Sequence, residues 1–409
     1  MATCKNCGKP LILKGGKCLY CGKGPDVRLT ASEDRALNSG ASRQSPRFNV
    51  IKRRNYPSFD EARSFSEGFA MVVVDKYTAG YIGKDGQWVI EPKFYGYYPK
   101  YDHRGMYIDE RFSTDHFLPA RYDTGNFSQG MAQVHLLDGG RIKGAYIDRF
   151  GNIVIKDVFG GSFHNGFAWY YNTETKKYGY IDKEGRKVIP PMFTCASHFS
   201  NDIAVVWIDD RPAFIDRKGN VLFRNDQFEI LYAWGGFYED LALVQVSYKS
   251  NKIKKTGFID RQGLFRKPSI GTFYHHFSDG LAIVYWGDDD PGRTIYIDKN
   301  MNAVIDKRFS HLTKFREGKA PVRDAYTGES GYIDKRGEFV FKFKYDYAAP
   351  FHEGMAAFQL NNKIGYVNSN GEVVIPPQFD SARHFSEGFA AICRDGKWNY
   401  IDKSGRIVF

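Results

Sequence analysis

The plainest alternation of apolar and polar positions lies near the end of the chain. Phe389-Ala-Ala-Ile-Cys-Arg394 reads as a strand, Asp395-Gly396 as a two-residue hairpin turn, and Lys397-Trp-Asn-Tyr-Ile401 as the returning strand. Asp402-Lys-Ser-Gly405 turns the chain again, and Arg406-Ile-Val-Phe409 opens a third strand. Elsewhere that strand runs into proline, at Val188-Ile-Pro-Pro191 and Val374-Ile-Pro-Pro377. Proline has no N–H to give, so it ends the ladder. A connector such as Phe379-Asp-Ser-Ala-Arg-His-Phe385 then leads to the next unit, with room for a short fourth strand at its Phe-Asp.

The same pattern recurs. Phe65-Ser-Glu-Gly-Phe-Ala70 has counterparts starting at Phe127, Phe163, Phe199, Phe237, Phe277, Phe315, Phe351 and Phe385, with drift at the Glu and Gly positions. Each is followed by Tyr/Phe-Ile-Asp-x-x-Gly or a near variant, and from Phe127 onward the period is close to 37 residues. One such unit cannot bury its own apolar face, so copies must stack into a continuous array. The reading is all-β: tandem three-to-four-stranded antiparallel repeats over residues 56–409, nine of them clear. Between Phe65 and Phe127 the period stretches, so residues 94–126 hold either a degenerate tenth unit or a surface insertion.

Substitutions within the motif point to backbone geometry. The Gly of Glu-Gly becomes Asp202 and Asp240, which predicts a position selected for positive φ. The recurrent Asp at 148, 182, 216, 260, 298, 334 and 402 precedes a turn and is expected to accept backbone N–H groups from it. Cys195 and Cys393, in different repeats, read as core or near-core residues.

Charge is unevenly placed. Residues 1–58 hold 12 Lys/Arg against 3 Asp/Glu, whereas the other 351 residues hold 46 against 44, so the net +11 sits mostly in the first segment. There Cys4-x-x-Cys7-Gly and Cys18-x-x-Cys21-Gly form two knuckles ten residues apart. Four thiolates in that spacing suit one structural, tetrahedral Zn2+ with no open ligand position. Residues 1–24 are thus expected to be a zinc ribbon and residues 25–55 a flexible basic linker. Lys52-Arg53-Arg54 reads as solvated linker charge. No apolar run approaches the length of a membrane span and no apolar stretch follows Met1, which predicts a cytoplasmic protein.

The stretches Lys177-Tyr-Gly-Tyr-Ile-Asp182, Lys363-Ile-Gly-Tyr-Val-Asn368 and Lys397-Trp-Asn-Tyr-Ile-Asp402 resemble the WG (KWG) repeat family. Its units carry Lys-Trp-Gly-Tyr-Ile-Asp and then a Val-Ile-x-Pro strand. The resemblance implies a repeat type over residues 56–409 and no particular reaction. Residues 3–23 resemble the short zinc ribbon found in many bacterial proteins.

The array ends where a Pro-x-Phe-Asp connector should follow, and it begins with Pro57-Ser-Phe-Asp60, that missing piece. This phase suits a propeller-like ring closed by both ends, with an open β-solenoid as the alternative. His164, His198, His276, His352 and His384 sit beside the motif Phe and, with Arg63, Arg316 and Arg383, would share one rim as a binding face. The motifs of common hydrolases, P-loops and dinucleotide folds do not occur, and Asp288-Asp-Asp290 reads as a hairpin tip. The expected role is a non-catalytic scaffold for protein partners. The alternatives are a nucleic-acid accessory protein acting through residues 1–58, and recognition of glycans or envelope polymers.

Overall fold

The computed structural model describes residues 58–75, 78–95, 125–139, 141–223, 225–268, 271, 273–285, 294–310 and 313–409. It also describes the strand backbone at 13–14, 17–18, 100–101 and 107–108. Most of the ribbon and linker assignments, together with Asp288–Asp290, therefore lie outside the described residues. Of the four knuckle cysteines only the backbone of Cys18 is described. It pairs with Leu13 in a two-stranded ladder that also joins Lys14 to Lys17.

Nine antiparallel sheets form a closed ring, a β-propeller. Sheets 1 to 9 span residues 61–95, 132–156, 159–193, 195–222, 228–266, 273–307, 309–342, 347–379 and 381–402. Seven have four strands in sequential order, and sheets 2 and 9 have three among the described residues. The fourth strand allowed for at the Phe-Asp connector exists. It is the two-residue ladder just after it, as at Ser381–Ala382, and it opens the following sheet.

Ring closure follows the phase of the repeat. In sheet 8 the last strand pairs Phe379 with Ile364 and Ile375 with Tyr366. In sheet 9 that strand is supplied by two separate segments. Ile407 bridges Ile401, Tyr400 donates to the Phe409 carbonyl at 2.8 Å, and Phe59 takes the Phe379 position by bridging Trp398. The open solenoid is excluded by these contacts.

The Glu-Gly element is a two-residue hairpin turn. Ser66 and Phe69 exchange both backbone hydrogen bonds, with Glu67 at φ 53° and Gly68 at φ 88°. Two successive positive φ values define the type I′ turn, whose twist matches the strands it joins. The Gly position is left-handed in eight copies, including Asp240 at φ 71°, whereas Asp202 departs and only its neighbour Asn201 is left-handed. The Asp turns behave as expected: Asp402 Oδ1 accepts from the N–H groups of Ser404 and Arg406.

Packing joins sheets rather than filling them singly. Tyr332 and Phe341 of sheet 7 pack with Ala348, Phe351 and Phe358 of sheet 8 in one cluster. Phe59, Phe65 and Val72 pack in the same way with Ala391, Tyr400 and Phe409 across the closure. Every motif Phe is at most 6% exposed. Burial of each contributes about 2–3 kcal/mol to an inter-sheet seam.

Most of residues 96–124, over which a degenerate tenth unit or an insertion is expected, lies outside the described residues. The last strand of sheet 1 ends at Tyr95, Lys100–Tyr101 pairs with Tyr107–Ile108, and sheets 1 and 2 bond to each other directly.

Candidate functional site

The motif Glu links each sheet to the next. Its carboxylate accepts the N–H groups of the following Glu-Gly turn: Glu67 from Gln129 at 2.5 Å and Gly130 at 2.8 Å, and Glu353 from Glu387 and Gly388. Glu239, Asp279 and Glu317 accept from Gly280, Gly318 and Gly354. Glu387 completes the circuit by accepting from Gly68 at 3.0 Å. Where Glu is absent, Gln129 keeps this link and Asn165 does not, while a Ser before the turn bonds the next motif Phe carbonyl in five copies. Gln129 accepts from Gly166, Asn165 donates to the Phe199 carbonyl, and Ser200 donates to the Phe237 carbonyl.

A row of cations reinforces this circuit. Lys84 pairs with Glu387, Arg149 with Glu67, Lys299 with Glu239 and Lys335 with Asp279. Each comes from the sheet that follows the carboxylate it meets. The signal was present in the sequence, since Lys or Arg follows the Asp turn position in eight of nine copies, with Ser369 the exception. Burial pushes the Glu67 carboxyl up, but Arg149 and the turn N–H groups more than offset it, leaving it below its ordinary value.

The residues flanking the motif Phe are left to vary, and here the rim histidines lie. Consecutive sheets bring them together in pairs. His164 meets His198 with ring centres 4.3 Å apart, and His352 stacks on His384 at 4.1 Å. His276 meets Tyr238 at 4.2 Å. The eight rim positions are thus distributed over several seams and form no single cluster. Arg383 is committed elsewhere: it donates to the Ala62 carbonyl, pairs with Glu61 and lies over the Trp398 ring. Arg63 supplies the carbonyl that accepts the Tyr400 hydroxyl.

One pair borders a cavity. Between sheets 8 and 9 a cleft of about 370 Å³ is lined by Tyr347, Gln359, His352, His384 and Arg383, with Ser64 of sheet 1 at its edge. Burial, then the neighbouring imidazole, Arg316 and Lys314 hold His352 down to about 4. Burial, Arg316 and Arg383 lower His384 as well. Both rings are therefore neutral at pH 7, with Arg316 and Lys314 opposed by Glu353. Such a cleft can exchange hydrogen bonds through neutral imidazoles and favours an entering carboxylate. Among the described residues no group of three or more metal-ligating side chains converges.

The two remaining cysteines are structural in setting. Cys393 is buried, and burial pushes the half-buried Cys195 thiol up to about 11.

Comparison with curated proteins finds no match. Among solved structures the chain is similar to the WD40 domain of SCAP from fission yeast, at 9% identity and TM-score 0.34, covering 88% of this chain and 98% of that one. It is also similar to Porphyromonas gingivalis dipeptidyl peptidase 4, at 9% identity and TM-score 0.39, covering 85% and 58%. For the tricorn protease the values are 12%, 0.23, 85% and 40%. The chain thus spans only about half the length of these two peptidases, and likeness at this level says nothing about activity. The family profile described as WG containing repeat matches residues 56–77, 80–101, 178–210, 296–324, 331–363 and 364–398. With matches in both halves of the ring, the chain carries WG-containing repeats and folds as a nine-sheet propeller.

Proposed function

We propose that the ring is a non-catalytic interaction scaffold, and that the cleft between sheets 8 and 9 receives an acidic segment of a protein partner. A closed repeat propeller fits a binding role. The observation that carries the finer reading is the setting of His352 and His384, two neutral imidazoles facing a cavity under the influence of Arg316, Lys314 and Arg383. The motif residues are committed to joining sheets, so the flanking positions are those free to differ from seam to seam. The Cys4, Cys7, Cys18 and Cys21 ribbon, with its zinc, acts in this reading as an accessory contact module.

The test is capture of partners from a nuclease-treated lysate by the full chain and by a variant carrying His352→Ala, His384→Ala and Arg316→Ala. Partners retained by the first and lost by the second support the cleft. Equal retention by both sinks it. The net charge of +9 in residues 1–58 keeps a second reading, contact with nucleic acid. That reading predicts capture that disappears with nuclease and weakens steeply with salt.

A further inference from the structure

The seam between sheets 4 and 5 differs from most in two ways, of which the first is shared with the seam after sheet 5, where Phe258 replaces the Tyr. In six sheets the third-strand Tyr donates its hydroxyl to a carbonyl two residues before the next motif Phe, as Tyr180 does to Ser197 and Tyr366 to Arg383. Sheet 4 has Phe214 at that position and offers no hydroxyl. The segment it faces is also one residue longer. Two residues separate Ala196 from Phe199 and Ala348 from Phe351, but Trp234, Gly235 and Gly236 separate the buried Ala233 from Phe237. The first strand of sheet 5 carries a register shift between Ile230 and Tyr232.

The result is a group of exposed aromatic residues. Tyr232, Trp234 and Tyr238 are 59%, 45% and 48% exposed, and the Tyr232 and Trp234 rings lie 6.2 Å apart at an inclination of 32°. Tyr238 is held from behind by His276. Single exposed aromatics need no explanation, but three within seven residues, beside two glycines, form a platform.

We propose that this platform binds a proline-rich peptide segment in the polyproline II conformation. Hydrogen-bonding character selects the ligand. The Trp234 indole N–H, the Tyr232 and Tyr238 hydroxyls and the Gly235 and Gly236 N–H groups have no partner among the described residues. The nearby carboxylates are engaged, Glu239 by Gly280 and Lys299, and Asp240 by Arg261. The platform therefore offers several donors to a ligand's carbonyls, alongside hydroxyls that also accept. Proline residues have carbonyls and no N–H, so they need donors. A glycan's hydroxyls also accept, so binding of an oligosaccharide is the competing outcome of the test. A polyproline strand also rises about 3.1 Å per residue, so alternate residues stand about as far apart as the two ring centres.

The inference is independent of the imidazole cleft, and the experiment separates the two. A short polyproline peptide is titrated into the full chain by calorimetry, with a chito-oligosaccharide and a polyglutamate peptide as comparisons. Saturable binding of polyproline is expected, weakened about tenfold or more by Trp234→Ala and by Tyr232→Ala. Trp234→Phe, which keeps an aromatic ring but loses the N–H donor, should weaken it less than Trp234→Ala, and His352→Ala with His384→Ala should leave it unchanged. Circular dichroism and thermal unfolding check that the exposed-site variants remain folded. Absence of polyproline binding, binding indifferent to Trp234→Ala, or binding of the oligosaccharide alone overturns the proposal.

Discussion

Phe59 and Trp398 exchange both backbone hydrogen bonds, at 3.0 and 2.9 Å, although they stand at opposite ends of the repeat array. The bridge completes sheet 9 with a residue from the opening of the array. Arg383 reinforces it by donating to Ala62, and Ser386 by donating to the Phe65 carbonyl at 2.7 Å. Closure thus reuses the contacts found at other seams, with no special device.

Phe59 is fully buried against Tyr400 and Trp88. Phe59→Ala is expected to cost about 3–5 kcal/mol in chemical denaturation. Because this seam holds the two ends together, the variant should also become sensitive to proteolysis at residues 58–65 before the rest of the ring. A loss under about 1 kcal/mol, matching an exposed substitution, would contradict the closure described.

The third-strand glycine has a steric cause. A Cβ at Gly365 would stand 2.4 Å from the Ile375 carbonyl oxygen, and one at Gly179 would stand 2.5 Å from that of Ile189. Gly365→Ala should therefore destabilise by about 1–3 kcal/mol. Asn399 occupies the same position in sheet 9, where the last strand is divided between two segments and the crowding is relieved. Asn399→Gly should change the denaturation midpoint little.

This contrast also shows which features were legible in the sequence. The period, the meander and the closing phase could be read because Phe, Ala and Gly repeat at fixed spacing for simple packing reasons. The role of the motif Glu could not be read from one copy, since its partner is the backbone of the next sheet. The accompanying Lys or Arg was visible in eight copies, but its meaning depends on the same contact. The histidines flank the motif Phe in the sequence itself. Their pairing across seams needed the ring. Phe214 and Phe258 replace Tyr at a position whose hydroxyl bonds the next sheet in six copies, a contact no single copy of the motif reveals.

The amino-terminal cysteines yield a prediction independent of the ring. Purified full-length chain should carry one zinc per molecule by metal analysis, and Cys4→Ser with Cys21→Ser should abolish it. The ribbon is too short to form a core, so chelation should unfold it and leave ring unfolding unaltered. Less than half an equivalent, with no recovery on adding zinc, would remove the ribbon assignment.

Acid should destabilise the ring in two stages. Burial holds His276 and His352 down to about 4, against an ordinary 6.5. The unfolded chain therefore binds more protons between those values, and stability falls as pH drops from about 6.5 towards 4. Glu67, Glu353 and the turn carboxylates of Asp182 and Asp402 also lie below their ordinary values, because hydrogen bonds and cations more than offset burial. Their contribution is complete above the unfolded carboxylate range and is lost as pH falls through the lowered values, so a second, steeper decline should begin below about pH 4.5. Denaturation midpoints measured from pH 7 to pH 3 should show both. His276→Gln with His352→Gln should make the first stage shallower, leaving the part due to His135, which burial also holds down to about 4. Glu67→Gln should cost about 1 kcal/mol at pH 7, since the carboxylate is partly exposed, and almost nothing at pH 3. An equal cost at both values would mean that the Glu67 link to Gln129, Gly130 and Arg149 does not depend on its charge.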